Sequence, residues 1–199
     1  DRTVTVNHAT ISGHTSAGIY CAESTGTLRM TVRNSVIASN GTYGIQNSSC
    51  IFTRDYNNVW GSTNPYFGVT AGGNSISSNP QFVDTMLLNF RLLPNSLSVD
   101  AADPMTALDH DAEGVQRPID GNQNMTAAPD MGAYEFNPSA NRWPIADAGA
   151  DRVVHAGTPA MFSGAGSFDP DGTIASYVWD FGDGSPTASG VSVTHTFNG

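Results

Sequence analysis

The sequence contains no lysine; all eight basic residues are arginine, set against eighteen acids for a formal net charge of -10 over 199 residues. With no basic field to hold phosphate, histone-like, nucleic-acid-clamping and cationic membrane-binding functions are excluded. Charge of either sign is scarce, at 13% of residues. No apolar run approaches the roughly 20 residues a membrane-spanning helix needs, and no heptad pattern supports a coiled coil. Cysteine is reduced to Cys21 and Cys50. They form one disulfide or are two small buried apolar residues, and both readings stay open. No signal peptide opens the chain, and Asp1 begins in a strand-like stretch. It reads as a fragment or processed product, so the missing signal decides nothing.

What is present is turn-rich. Twenty-one glycines and eleven prolines favour β structure over long helices, and 39% hydrophobic residues suffice for a core. The charge is uneven: residues 1–99 carry four acids and five arginines, and residues 100–199 carry fourteen acids and three arginines. Such asymmetry points to two parts with different jobs.

The first hundred residues repeat. "TVTVNHATISGHTSAGIYC" recurs as "RMTVRNSVIASNGTYGIQN", matching Val6 to Val32, Ile11 to Ile37, Gly18 to Gly44 and Ile19 to Ile45 at an offset of 26. A looser third copy matches Val36-Ile37 to Val59-Trp60 at 23 and Gly44-Ile45 to Gly68-Val69 at 24. A fixed period of short strands without helices predicts a parallel β-helix, in which stacked coils align inward Val and Ile into columns. His14 and Asn40 fall at equivalent places and read as a polar turn ladder rather than as catalysts.

Further on, "NPQFVDTMLLNFRLLPNSLSVDAAD" and "PDMGAYEF" resemble the C-terminal end of right-handed parallel β-helix proteins of the pectate-lyase-like group. More narrowly they resemble the bacterial choice-of-anchor Q domain. The matching positions are Asn79-Pro80, Phe82-Val83-Asp84, Asn89-Phe90-Arg91-Leu92, Val99-Asp100-Ala101, Arg117-Pro118 and Asp130-Met131-Gly132-Ala133-Tyr134-Glu135. Leu97-Ser98 departs from the family's Pro-Ala, and Ala102 replaces its glycine. The resemblance covers residues 1–137 and implies a fold more than an activity, because this scaffold hosts many functions.

After a linker at 138–144 the texture changes. Tyr177, Trp179 and Phe181 alternate as one aromatic strand face, and Gly182-Asp183-Gly184 signals a hairpin turn. The run "WDFGDG" at Trp179–Gly184, with "SFDPDG" before it and "VTHTF" after it, resembles a PKD domain. That resemblance implies an extracellular immunoglobulin-like β-sandwich over 145–199. It is incomplete at its C-terminus, since such domains continue past "HTF" with a further pair of strands. Either the polypeptide is longer, the favoured expectation, or another chain supplies the strand.

Two acidic loops are candidate calcium sites. In "DHDAEGVQRPID", Asp109, Asp111 and Glu113 alternate, Gly114 follows, and Asp120 stands twelfth, a spacing that suits the 6–8 oxygen ligands of Ca²⁺. No amphipathic helices flank the loop, and the alternative is a solvated acidic loop with Arg117 pairing a carboxylate. In the second module, Asp169 and Asp171 resemble calcium-ligating aspartates of some PKD domains, against the alternative of an Asp-rich turn. Asp180 and Asp183 read as turn residues.

No catalytic constellation stands out. β-Helix lyases use carboxylates and a Lys or Arg base, and lysine is missing; Arg29, Arg33 and Arg54 lack a companion Asp cluster. Glycosidases need paired acids, and none are paired in the repeats. The expectation is a secreted or cell-surface structural or adhesion protein, a rigid β-helix rod with a PKD spacer. Polysaccharide or neighbouring copies of itself are its expected partners. The alternative is the C-terminal part of a secreted polysaccharide lyase or glycoside hydrolase.

Overall fold

A computed structural model describes residues 2–24, 27–140, 144–169 and 172–198. Every regular element among them is a β-strand, as the β-branched runs punctuated by Gly, Asn and Ser require. The chain divides into two units, Asp1–Pro138 and Ser139–Gly199.

The first unit opens with three passes of three short strands. They are β1 (Arg2–Asn7), β2 (Thr10–Ser12) and β3 (Ala17–Cys21); β4 (Leu28–Arg33), β5 (Val36–Ala38) and β6 (Tyr43–Asn47); and β7 (Ile51–Asp55), β8 (Asn58–Trp60) and β9 (Asn64–Phe67). Like strands of successive passes pair in parallel, giving three three-stranded sheets ordered β1-β4-β7, β2-β5-β8 and β3-β6-β9. Between the first two passes the register is the expected 26, with Val6 opposite Val32, Ile11 opposite Ile37 and Ile19 opposite Ile45. The third pass corrects the sequence alignment. Ile37 faces Val59 and Ile45 faces Tyr66, offsets of 22 and 21. Only residues 48–50 separate β6 from β7, whereas residues 22–27 separate β3 from β4. That connection is three residues shorter, β7 begins one residue later against β4 (Ile51 faces Arg29), and the connection from β8 to β9 removes one more.

The corners repeat as well. His8, Asn34 and Tyr56 each follow the first strand of a pass with φ of 48°, 53° and 52°. Gly13, Ser39 and Gly61 each follow the second strand with φ of 80°, 53° and 73°. One left-handed residue per corner turns the chain out of one sheet into the next.

Stacking satisfies the backbone between passes. Ala9 N donates to Ser35 Oγ at 3.1 Å, Ser35 N to Asn57 Oδ1 at 3.1 Å, and Asn57 N to Ser75 Oγ at 3.2 Å. The ladder expected at His14 and Asn40 is present: His14 N donates to Asn40 Oδ1 at 3.1 Å, and Asn40 Nδ2 donates to Ile11 O at 3.1 Å. Gly18 and Gly44 recur because passes approach closely there. A Cβ on Gly18 would lie 2.6 Å from Ile37 Cγ2, and one on Gly44 would lie 2.3 Å from Val59 Cγ1. Cys21 and Cys50 form a disulfide between the first and second passes.

Ile19, Val32, Ile37, Ile45 and Val59 make the inner core. Val36 and Ala38 flank Ile37 on the alternate face of β5 and pack instead on Ala102 and Met131. The segment after the passes, with the antiparallel pair β10 (Phe82–Asp84) and β11 (Asn89–Leu92), therefore covers the outer face of the β2-β5-β8 sheet. A third cluster of Leu92, Val99 and Phe136 closes it.

The second unit has β12 (Ala160–Ser163), β13 (Val178–Trp179), β14 (Ala188–Ser189) and β15 (Ser192–His195), paired antiparallel as β12-β15 and β13-β14. The aromatic face is present, although only Val178 and Trp179 are strand. The hairpin loop is longer than the Gly-Asp-Gly signal suggests, since Trp179 pairs with Ala188 across residues 180–187. Linker residues 141–143 and Gly199 lie outside the described residues.

Candidate functional site

The acidic loop at 109–120 folds around one carboxylate. Asp111 Oδ1 accepts Glu113 N at 2.8 Å and Val115 N at 2.9 Å, and its Oδ2 accepts Glu135 N at 2.9 Å. Glu113 turns away and pairs with Arg91. Asp120 accepts Asn124 N at 3.0 Å and Met125 N at 2.8 Å. The Asp109 side chain is 92% exposed, 3.3 Å from His110 Nδ1. Asp111, Glu113 and Asp120 thus each serve a different partner, and among the described residues no three His, Cys, Asp or Glu side chains converge on a metal position. Calcium binding by Asp109, Asp111, Glu113 and Asp120 would require these side chains to leave those partners. In the second unit Asp169 lies beside Gly172, where a Cβ would meet its Oδ2 at 3.0 Å; Asp171 lies outside the described residues.

Asp180 and Asp183 are turn residues, as their spacing suggests. Asp180 Oδ1 accepts Gly182 N at 2.9 Å, and Asp183 Oδ1 accepts Ser185 N at 3.0 Å. Hydrogen bonds from Ser185 and His195 hold the Asp183 carboxyl at about 2.

Arg117 does pair a carboxylate, but a buried one outside the loop. Its Nε lies 3.5 Å from Glu135 Oε2, with both side chains fully buried. Its Nη1 donates to Asp130 O and its Nη2 to Gly132 O, both at 2.9 Å. Glu135 Oε1 accepts Ile119 N at 2.9 Å, and Oε2 accepts Asp130 N at 3.0 Å. Asp130 accepts Asp100 N at 2.8 Å and Phe136 N at 2.5 Å. His8, from the first corner of the first pass, meets the cluster through Nδ1, 3.0 Å from Asp130 O and in contact with Arg117 Nη1.

Burial sets the protonation behaviour of this cluster. Desolvation, then the neighbouring Arg117 charge, lowers His8 to about 4. Burial pushes Asp130 well above the ordinary carboxylate range and raises Glu135 too. A cavity of about 220 Å³ lined by His8, His110, Asp111 and Arg117 adjoins them. Chemically the cluster is a clamp: its carboxylates accept backbone N–H groups, and its guanidinium bonds two backbone carbonyls. That joins residues 100–136 to the first corner of the repeats.

Sequence reasoning met Asp130 and Glu135 only as motif matches, and gave Arg117 a carboxylate partner without identifying which one. It gave no role to His8, whose partner Asp130 lies 122 residues away. Of the repeat arginines, Arg54 Nε donates to Thr70 O at 2.7 Å, and Arg33 Nε is buried without a hydrogen-bond partner.

The PKD domain family matches residues 141–199, and PKD domains are typical of extracellular surface proteins. No solved structure matches the chain. Among the described residues no helix is long and apolar enough to cross a membrane.

Proposed function

We propose that this chain is an architectural part of an extracellular surface protein: the end of a right-handed parallel β-helix rod, closed by its tail and followed by a PKD spacer, serving adhesion or assembly. One observation carries this reading. Each of three passes adds one strand to each of three parallel sheets, with left-handed residues at matching corners and side chains bonding the backbone of the neighbouring pass. Such stacking makes a stiff, quasi-one-dimensional body whose length grows by repetition. The PKD match at 141–199 supports the extracellular setting.

The described titratable groups favour architecture over chemistry. The carboxylates that burial raises, Asp130 and Glu135, hold backbone N–H groups, and the lowered Asp183 caps its own turn. Incubation with a panel of uronic-acid and neutral polysaccharides tests the reading. No unsaturated or reducing ends are expected above background; release of either by this chain overturns it in favour of the lyase or hydrolase alternative. Electron microscopy of concentrated protein tests the assembly half, with ordered filaments or sheets as the expected result. Calcium enters the proposal at Asp169 and Asp171, where millimolar calcium raises the melting temperature of the second unit if the ion binds the native state. An unchanged temperature removes it.

A further inference from the structure

A second cavity, of about 410 Å³, adjoins the corner after β5, the end of β8 and the segment leading into β10, lined by Ser39, Trp60, Asn79, Gln81, Phe82 and Thr85. That volume lies within the roughly 300–1,000 Å³ of small-molecule sites. No charged side chain lines it.

Its polar side chains lie at the surface on a fixed backbone. The side chains of Ser39, Trp60, Gln81 and Thr85 enter no hydrogen bond among the described residues. Their backbones are fixed: Ser39 N donates to Trp60 O at 2.9 Å and Gln81 O accepts Leu93 N at 2.9 Å. Asn79, also in the lining, accepts Gln81 N through Oδ1 at 2.9 Å.

Ser39 supplies an independent observation. The equivalent corners of the passes on either side are Gly13 and Gly61, and all three residues have positive φ. Glycine adopts that conformation freely, whereas serine is strained there. A side chain kept at a strained corner beside a cavity points to a use for that side chain.

We infer that this cavity binds a neutral sugar residue of a glycan. A pyranose has an apolar C–H face, which suits the Trp60 ring, and a rim of hydroxyls, which suits amides and hydroxyls able to donate and accept. A uronate or sulfated sugar would bring a charge into a lining that offers it no countercharge. The inference deepens the adhesive part of the function proposed above and rests on that reading.

The test is titration of the whole chain with neutral hexasaccharides of glucan, xylan and mannan and with oligogalacturonate, by calorimetry and tryptophan fluorescence. At least one neutral oligosaccharide is expected to bind saturably, and oligogalacturonate no more tightly. Trp60→Ala weakens binding about tenfold or more, Gln81→Ala weakens it as well, and Trp179→Phe leaves it unchanged. Ser39→Gly relaxes the corner, so it keeps or raises the melting temperature while weakening binding; a merely structural Ser39 would not separate the two. Trp60→Phe, which keeps a ring, guards against misfolding. No neutral binding at millimolar sugar, binding indifferent to Trp60, or a Trp60-dependent preference for oligogalacturonate or for an unrelated peptide would each overturn the site. Release of unsaturated or reducing ends from the bound sugar would instead overturn the non-catalytic reading, so the two failures are distinguishable.

Discussion

Residues 2–138 are held by fully buried aliphatic side chains, among them Val32, Ile37, Ile45 and Val59, with Asn34, Asn57, Asn58 and Asp130 buried alongside them. Among the described residues from 144 onward, only Gly164 and Val193 are buried. That unit gathers half-buried rings instead: Phe162 lies 5.4 Å from Phe181 and 6.1 Å from Trp179, and Phe181 stacks on His195 at 3.9 Å. The difference is one of supply. Parallel stacking brings the same backbone groups past each other once per pass, so Asn40 and Asn57 each find an N–H and a C=O on the neighbouring pass. A small antiparallel unit has no such recurrence, and its cohesion falls to ring contacts at its surface.

The sharpest way to break this comparison is at Arg117. Arg117→Met leaves Glu135 and Asp130 buried without their cation and is expected to destabilise the first unit by about 3–5 kcal/mol. Calorimetry would show its transition falling while the second unit's stays put; a change under 1 kcal/mol (about a fivefold change in the unfolding constant) would mean the cluster is not a clamp. Next comes Asn57→Leu, which strips Ser35 N and Val32 O of partners at 3.1 and 2.8 Å. Its expected cost is about 2–4 kcal/mol by urea denaturation, and a neutral result would show that water replaces the ladder.

The pH dependence comes third. His8 lies at about 4 against an ordinary 6.5. As pH falls through that window the unfolded chain takes up a proton that folded His8 refuses, and stability is lost. Asp130 and Glu135, both raised, take up protons before the unfolded chain does and work in the opposite direction. Arg117, His110 and Asp111 share the adjoining cavity with His8. His8→Gln removes only the loss, so between pH 6.5 and 4 it should shed about 1–3 kcal/mol less than the unmodified protein. Parallel curves for the two proteins would sink the assignment. The smallest effect is expected in the second unit: Phe162→Ala, at a ring only partly buried, should cost about 1–2 kcal/mol, below the usual value for a core phenylalanine. A loss as large as that of Arg117→Met would show the ring cluster to be a full core.

The strand composition, the period of 26 and the aromatic face around Trp179 were legible in the sequence because they depend on near neighbours and on repetition. The short third pass was not. Val36-Ile37 resembles Val59-Trp60 as text, yet the number of residues between β6 and β7 fixes Ile37 opposite Val59. The loop at 109–120 stays open between a calcium site and a solvated acidic loop, because alternate acids also describe a turn that caps its own backbone and spacing alone does not separate the two. Ser39 gives no signal as a letter and becomes informative only when its corner is aligned with Gly13 and Gly61.

By itself the sequence determined that this is a β protein in two parts, with a neutral repeating half and an acidic half, because composition and periodicity are properties of the chain. Only the tertiary structure decided that Cys21 and Cys50 are joined, that Asp111 serves three backbone N–H groups, and that His8, Arg117, Asp130 and Glu135 form one buried cluster. Those facts depend on residues up to 122 positions apart, and nothing local in the chain reports a contact that only folding creates.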